Sequence, residues 1–214
     1  MNPRKHPWNT GFRWRTPDGP FSVLTAAQVE HFDRQGYLVL EGVLPIDLVE
    51  QVRAEIDGFE AATDDFLKRQ KDGRMMIAET GAITFTTHLV ARSAQLRAFA
   101  AHPLFAGLCA DLVGPDVNVY WDQAVYKKPE KPRRFPWHQD NGYTFVEPQQ
   151  YLTCWVPLVD ATVDNGCPLV VPGLHREGTL RHTYVDPLGF ECLSGDPEGA
   201  VAAPVAKGGV LVFS

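Results

Sequence analysis

Several signatures of common enzyme classes are missing from this sequence of 214 residues. It contains no GxSxG elbow, no HExxH motif, no phosphate-binding loop and no GxGxxG after a strand-like run. Serine hydrolases, zincins and nucleotide-binding enzymes need these motifs for a nucleophile, a pair of zinc ligands or a phosphate cradle. The sequence therefore gives no support to those three classes.

Long apolar runs and cysteines are also scarce. No run approaches the roughly 20 apolar residues that span a bilayer, and the N-terminal MNPRKHPWNTGFRW lacks the apolar stretch of a signal peptide. The spacing of the four cysteines matches no zinc or redox motif. We expect reduced thiols in a cytoplasmic protein, at Cys109, Cys154, Cys167 and Cys192.

Charge and composition narrow the class further. The formal net charge is -6, which disfavours nucleic acid or an anionic membrane as a partner. Hydrophobic residues make up 44% and charged residues 21%, as is usual for globular proteins. The length suits one domain. We expect a single domain over residues 1–214, with an extended arm over residues 1–22.

Residues 23–113 are predicted to be mainly helical. Thr25 and Gln28 form a capping-box pattern, and Gly36 is typical of the residue after a helix. Apolar residues at helical spacing predict a second helix from about Pro45 to about residue 60. Residues 61–85 show mixed charge and no periodicity, so an ordinary surface loop and a mobile lid both remain open.

Residues 114–214 are predicted to be mainly β. Apolar runs are bounded by Pro, Gly, Asn and Asp, as in short strands. Asn165-Gly166 is the strongest hairpin signal in the chain. Helices followed by strands favour an α+β fold, with helices packed on a sandwich or barrel.

The tetrapeptide Trp137-His138-Gln139-Asp140 carries the clearest chemical signal. In an extended strand, the side chains of His138 and Asp140 point to the same side. An imidazole and a carboxylate are two of the three ligands of a 2-His-1-carboxylate iron site, which leaves positions open for other ligands. Such tripeptides are common by chance, so the tripeptide alone favours a surface histidine beside a turn aspartate.

The surrounding sequence resembles the phytanoyl-CoA dioxygenase family. The resemblance covers nearly all of the chain from about residue 25, although the family usually has Ser where this chain has Leu174. It is carried by FDRQGYLVLEGVL, AVYKKP, WHQDNGY and YLTCWVPLVDATVDNGCPLVVPGLHREG, which occur in this order. It implies a double-stranded β-helix (jelly roll) with packed N-terminal helices, Fe(II) as the metal and 2-oxoglutarate as co-substrate.

The resemblance also implies site residues. His138 and Asp140 match the first two iron ligands of the family. Gln123 matches a position that contacts 2-oxoglutarate, and Trp155 matches an aromatic residue that lines the same pocket. For Gln123 and Trp155, plain packing is an open alternative. His175 falls in a turn of the family pattern that usually supplies no ligand.

The implied reaction is hydroxylation of a small molecule at an unactivated C–H bond, with succinate and CO2 as co-products. One rival is a halogenase, but Asp140 fills the carboxylate position that a small residue occupies there. The other rival is a non-catalytic jelly-roll ligand-binding protein without a complete iron site. A basic run either attracts an anionic substrate or forms a solvated loop that balances acids, and its members are Lys127, Lys128, Lys131, Arg133 and Arg134.

The last residues, 207–214, resemble the start of the family's closing motif. That motif continues to a second histidine ligand and an arginine for 2-oxoglutarate, and neither occurs by Ser214. We therefore expect a C-terminally incomplete domain with weak metal affinity and no catalysis. We also expect the final apolar strand to lie at an exposed sheet edge.

Overall fold

The computed structural model describes residues 3–214, which form a mixture of helices and short strands. The helices are α1 (Ala26–Gln35), α2 (Ile46–Lys68), α3 (Leu89–Arg92), α4 (Ala94–Ala100) and α5 (Pro103–Leu112). The strands are β1 (Tyr37–Leu40), β2 (Arg74–Met75), β3 (Ala78–Glu79), β4 (Ile83–Thr87), β5 (Gln123–Lys127), β6 (Thr153–Trp155), β7 (Leu169–Val170), β8 (Thr183–Val185), β9 (Gly189–Glu191), β10 (Val201–Ala202) and β11 (Val210–Phe213). No helix among residues 3–214 combines the length and the apolar character needed to cross a membrane.

The central sheet has the strand order β1-β11-β6, with antiparallel pairing throughout. Val210, Leu211 and Val212 of β11 are completely buried. The sequence predicted this strand, but the expected exposed edge is wrong because β1 and β6 flank β11 on both sides. The partner of the last strand comes from the start of the chain, a pairing that local sequence patterns do not reveal.

The helices pack against this sheet as the apolar spacing predicts. Thr25 caps α1 in a complete capping box, and Gly36 ends the helix with a positive φ of 78°. Phe32 of α1 and Val49 of α2 are fully buried in a cluster with β1, β11 and α5. Burying one such side chain contributes about 1.5–3 kcal/mol, so the cluster anchors the helices to the sheet.

The prediction of a loop or lid over residues 61–85 is wrong. Helix α2 continues to Lys68, where Leu67 is buried, and β2, β3 and β4 follow within a four-stranded sheet completed by β5. Buried polar contacts hold this sheet on α2: Glu60 accepts a hydrogen bond of 2.9 Å from Thr84 and pairs with Lys128 at 2.7 Å. Apolar periodicity does not report such contacts, because they join polar residues far apart in the chain.

The hairpin predicted around Asn165-Gly166 is only half right: the chain turns there, but the strands on either side do not form a hairpin. Asn165 closes the turn through its side chain, which accepts from the amide of Thr162 at 2.7 Å and donates to the carbonyl of Asp160 at 2.7 Å. The flanking strands do not pair with each other: β6 pairs with β11, and β7 pairs with β10. The sequence located the turn, but the choice of strand partners follows from burial of β11.

The N-terminal arm lies extended against residues 177–181. The amide of His6 donates to the carbonyl of Thr179 at 2.9 Å, and the amide of Arg181 donates to the carbonyl of Arg4 at 2.7 Å. The side chain of Asn9 donates to the carbonyls of Glu177 and Thr179. These contacts fix the arm beside residues 177–181, which lead into His182.

Candidate metal site

His138 and Asp140 lie in an irregular extended segment rather than in a regular strand. Trp137 forms an isolated antiparallel bridge with Leu193, and its carbonyl accepts a hydrogen bond of 2.8 Å from the amide of Cys192. A turn begins at Asp140 immediately afterwards. The single bridge is enough to extend the backbone, so the two side chains emerge on the same side.

The two candidate ligands face each other directly. Nε2 of His138 lies 3.2 Å from Oδ1 of Asp140. Nδ1 of His138 lies 2.8 Å from the carbonyl oxygen of Pro136, which can only accept, so Nδ1 carries a proton and donates it. In the neutral imidazole, the lone pair is therefore on Nε2, the nitrogen that points at Asp140.

Strand β6 orients the carboxylate of Asp140. The hydroxyl of Thr153 donates a hydrogen bond of 2.8 Å to Oδ2 of Asp140, and Thr153 Oγ1 also lies 3.3 Å from the hydroxyl of Tyr151. Because Thr153 occupies Oδ2, the other oxygen is the one turned to His138. The carboxylate thus has one oxygen held by the protein and one available to a ligand.

The electrostatics couple the two groups. Burial opposes both charges, but the hydrogen bond and opposite charge of the partner prevail, raising the pKa of His138 and lowering the pKa of Asp140. Burial and the nearby Asp140 charge also raise the pKa of Tyr143 to about 12. The carboxylate is therefore ionised at neutral pH, as a metal ligand must be.

The donor set fits a divalent first-row metal. An imidazole that would bind through Nε2 once that nitrogen is deprotonated, and an ionised carboxylate, are ligands that suit iron, and each is oriented through its second polar atom, as metal-ligating side chains usually are. Across residues 3–214, no group of three His, Cys, Asp or Glu side chains gathers around one point. Within the described chain, the site therefore offers two protein ligands.

The other nearby histidines have different roles. His182 accepts a hydrogen bond of 2.9 Å at Nε2 from the amide of Gln139, the residue between the two candidate ligands. His175 is buried under Gly36, with Nε2 3.0 Å from the carbonyl oxygen of Asp33. His182 thus braces the backbone of the candidate site, while His175 serves the packing of α1.

The contacts of Gln123 and Trp155 are with residues other than His138 and Asp140. Gln123 opens β5 and accepts a hydrogen bond of 3.0 Å from the indole of Trp121. Trp155 packs beside Val205 and Leu211, although it shares one side of β6 with Thr153. Their predicted contact with 2-oxoglutarate remains a prediction.

Most side chains of the basic run form ion pairs with glutamates. Lys128 pairs with Glu60, Lys131 and Arg133 with Glu79, and Arg134 with Glu191. Lys127 has no acidic partner among the described residues; its ammonium group lies 3.3 Å from the carbonyl oxygen of Gly166 and 5.9 Å from the centre of the Phe135 ring. The run as a whole therefore balances acids, and Lys127 is its available cation.

Three further residues support the pair, namely Thr153, Tyr151 and His182, and sequence reasoning gave none of them this role. A signal for two of them was present. Residues 151–158 alternate, and the set that contains Cys154 packs into the core. The opposite set, Tyr151, Thr153 and Trp155, was accordingly expected as one that could line a cavity, without a link to Asp140. Nothing in the sequence linked His182 to Gln139, because the contact joins residues 43 positions apart.

Comparisons with known proteins show what the chain is similar to. Residues 32–214 match the sequence profile of a family described as phytanoyl-CoA dioxygenase (PhyH). The chain is 27% identical over 222 residues to an ectoine dioxygenase of Bordetella bronchiseptica, covering 92% of this chain and 69% of that protein. It is 25% identical over 190 residues to a phytanoyl-CoA dioxygenase of Arabidopsis thaliana, covering 74% of this chain and 67% of the relative.

A solved structure resembles the whole chain. The crystal structure of EctD from S. alaskensis with bound Fe superposes with a TM-score of 0.66 at 25% identity. The superposition covers 99% of this chain and 74% of that one. The similarity of fold therefore extends over both the helices and the central sheet.

Proposed function

Because the chain belongs to the phytanoyl-CoA dioxygenase family, we propose that it hydroxylates a small molecule at an unactivated C–H bond. The protein is an Fe(II)- and 2-oxoglutarate-dependent dioxygenase, and succinate and CO2 are the co-products of the proposed reaction. The observation that carries this proposal is the approach of His138 Nε2 to Asp140 Oδ1 at 3.2 Å. These two atoms are the proposed iron ligands from this part of the chain.

When bound, Fe(II) and 2-oxoglutarate would supply the electrons that activate O2, the oxidant of the reaction, and the chain supplies orientation. The carbonyl of Pro136 fixes the tautomer of His138, so that Nε2 faces the metal position. The hydroxyl of Thr153 fixes the rotation of the Asp140 carboxylate. His138 and Asp140 would hold the metal and leave room at it for the co-substrate and O2.

Two further residues are proposed to contact 2-oxoglutarate. Trp155 lies two residues after Thr153 on β6, so both side chains leave the strand on the same side. Gln123 begins β5, the strand that ends at Lys127 beside the Phe135 ring. The likeness to solved Fe- and 2-oxoglutarate-dependent enzymes also supports a double-stranded β-helix as the arrangement of the strands, in a single domain.

The retained carboxylate favours hydroxylation over halogenation. A halogenase of this group needs a vacant metal position where Asp140 stands here. Asp140 is held by both His138 and Thr153, which preserves a carboxylate ligand. The family assignment likewise favours an enzyme over a non-catalytic binding protein. All four cysteines are free thiols, which supports a cytoplasmic location.

The experiment that tests the proposal is an anaerobic titration of the full-length protein with Fe(II) and 2-oxoglutarate. A weak visible charge-transfer band is expected from co-substrate that chelates iron on the protein. Asp140→Asn and His138→Gln should each remove the band while circular dichroism stays unchanged. A band of wild-type intensity in both variants would place the metal elsewhere.

A further inference from the structure

A cavity of about 300 Å³ lies between the N-terminal arm and the turn that follows Asp140. The arm contributes His6 and Pro7 to its walls, and the turn contributes Gly142 and Tyr143. This volume is at the small end of the range for ligand sites. A single-ring compound fits such a space, whereas a long-chain acyl thioester does not.

The walls of the cavity are largely flat rings. Tyr143 and Phe190 stack with ring centres 5.4 Å apart and an angle of 14° between their planes. They are 39% and 37% exposed, which is high for large apolar side chains, so part of each ring remains free for contact. The rings of His6 and His182 complete the lining on other sides. A planar apolar body is the shape that such walls favour.

The cavity also contains an available cation. Arg181 lines it, and no carboxylate of residues 3–214 lies within ion-pair distance of its guanidinium. Arg176, five residues earlier, shows the contrast, because its guanidinium pairs with Asp33 at 2.6 Å. The planar fork of a guanidinium matches a carboxylate through two parallel hydrogen bonds.

His182 adds no charge to the cavity. Its Nδ1 lies 2.9 Å from the carbonyl oxygen of Leu180, and its Nε2 accepts from the amide of Gln139. Burial lowers its pKa, so the ring is neutral at pH 7. His182 is therefore a wall shared by the cavity and the segment that carries His138 and Asp140.

We propose that this cavity binds the substrate, and that the substrate is a small aromatic carboxylate. Its carboxylate pairs with Arg181, and its ring packs against Tyr143 and Phe190. The inference rests on the proposed function, since it names the substrate class of the same enzyme. It also assigns anion recognition to Arg181 rather than to the basic run of residues 127–134, whose cations mostly pair with acids.

The test is isothermal titration calorimetry of the purified protein with benzoate as the probe and benzamide as its neutral analogue. Benzoate should bind at least tenfold more tightly than benzamide, which corresponds to about 1.4 kcal/mol. Arg181→Gln should lose at least tenfold in benzoate affinity. Arg69→Gln makes the same chemical change at the C-terminal end of α2, outside the cavity, and should bind benzoate as the wild type does.

Benzoate should also bind more tightly than cyclohexanecarboxylate, and Phe190→Leu should reduce that preference. Equal affinity for benzoate and benzamide, unchanged binding in Arg181→Gln, or no benzoate binding at millimolar concentration would each overturn the inference. The Fe(II) and 2-oxoglutarate band is recorded on the same samples. A band without Arg181-dependent benzoate binding refutes this inference alone, and Arg181-dependent binding without a band refutes the oxygenase proposal while retaining the binding site.

Discussion

The hydroxyl of Thr153 holds one oxygen of Asp140 at 2.8 Å, and the other oxygen of that carboxylate faces His138 at 3.2 Å. The carboxylate is thus fixed from strand β6, while its free oxygen and the histidine nitrogen converge. Hydrogen bonds of this kind behind a metal ligand set its rotation and its basicity. Thr153 therefore acts on the proposed metal through Asp140.

We predict that Thr153→Val weakens metal binding by about 10–100-fold, the usual effect of losing a group that orients a ligand. Thr153→Ser, which keeps the hydroxyl, should restore most of the affinity. Thr183→Val makes the same change at an exposed position of β8 and should have no effect. Titration with Co(II), followed by its visible spectrum, measures all three; equal affinities for Thr153→Val and wild type would remove this role.

Gly142 is predicted to tolerate no side chain. A Cβ at this position would lie 1.9 Å from Cε1 of His182, whose ring is held by hydrogen bonds at both nitrogens. Gly142→Ala should therefore lower the free energy of unfolding by about 1–3 kcal/mol, the usual cost of overpacking. Urea denaturation measures the change.

Gly58→Ala is the matched control. Gly58 lies inside α2, and a Cβ added there would meet no atom within 4 Å, so alanine adds helix propensity without a clash. It should raise the free energy of unfolding by about 0.5–1 kcal/mol. A loss of stability in Gly58→Ala, or none in Gly142→Ala, would contradict the packing described here.

His175 is predicted to make the protein less stable in mild acid. Its Nε2 donates to the carbonyl of Asp33, and its buried Nδ1 has no hydrogen-bond partner among the described residues. Protonation would bury a second N–H without an acceptor. Burial accordingly lowers the pKa of His175 below its ordinary value.

The direction of this pH dependence follows from the linkage between proton binding and folding. Because the folded pKa lies below the unfolded value of about 6.5, the unfolded chain binds the proton first, and stability falls as the pH drops through that value. The free energy of unfolding should therefore lose more, or gain less, between pH 7.5 and pH 5.5 in wild type than in His175→Gln. Parallel curves for the two proteins would show that His175 does not contribute.

Local signals in the sequence predicted the elements that depend on neighbouring residues. The Thr25 capping box, the end of α1 at Gly36 and the strand at Val210–Phe213 are such cases. The approach of His138 to Asp140 could also be predicted from the sequence, because one extended backbone segment places both side chains on one side.

The failures share a different physical cause. Residues 61–85 were expected to be irregular, yet they end α2 and form three strands, because Glu60 binds Thr84 and Lys128 from distant parts of the chain. Strand β11 was expected at an edge, yet β1, at the other end of the chain, pairs with it. Neither a polar contact nor a strand partner across such separations leaves a periodic signal in the sequence.

The most direct test of the central claim is Fe(II)-dependent conversion of 2-oxoglutarate to succinate by the full-length protein, compared among wild type, His138→Ala and Asp140→Ala. His138 and Asp140 are half-buried and outside the apolar clusters, so both variants should keep the wild-type circular dichroism spectrum. We predict Fe(II)-dependent succinate formation by the wild type and none by either variant, since each loses a metal ligand. Succinate formation at the wild-type rate in either variant would contradict the assignment of these two residues to the iron.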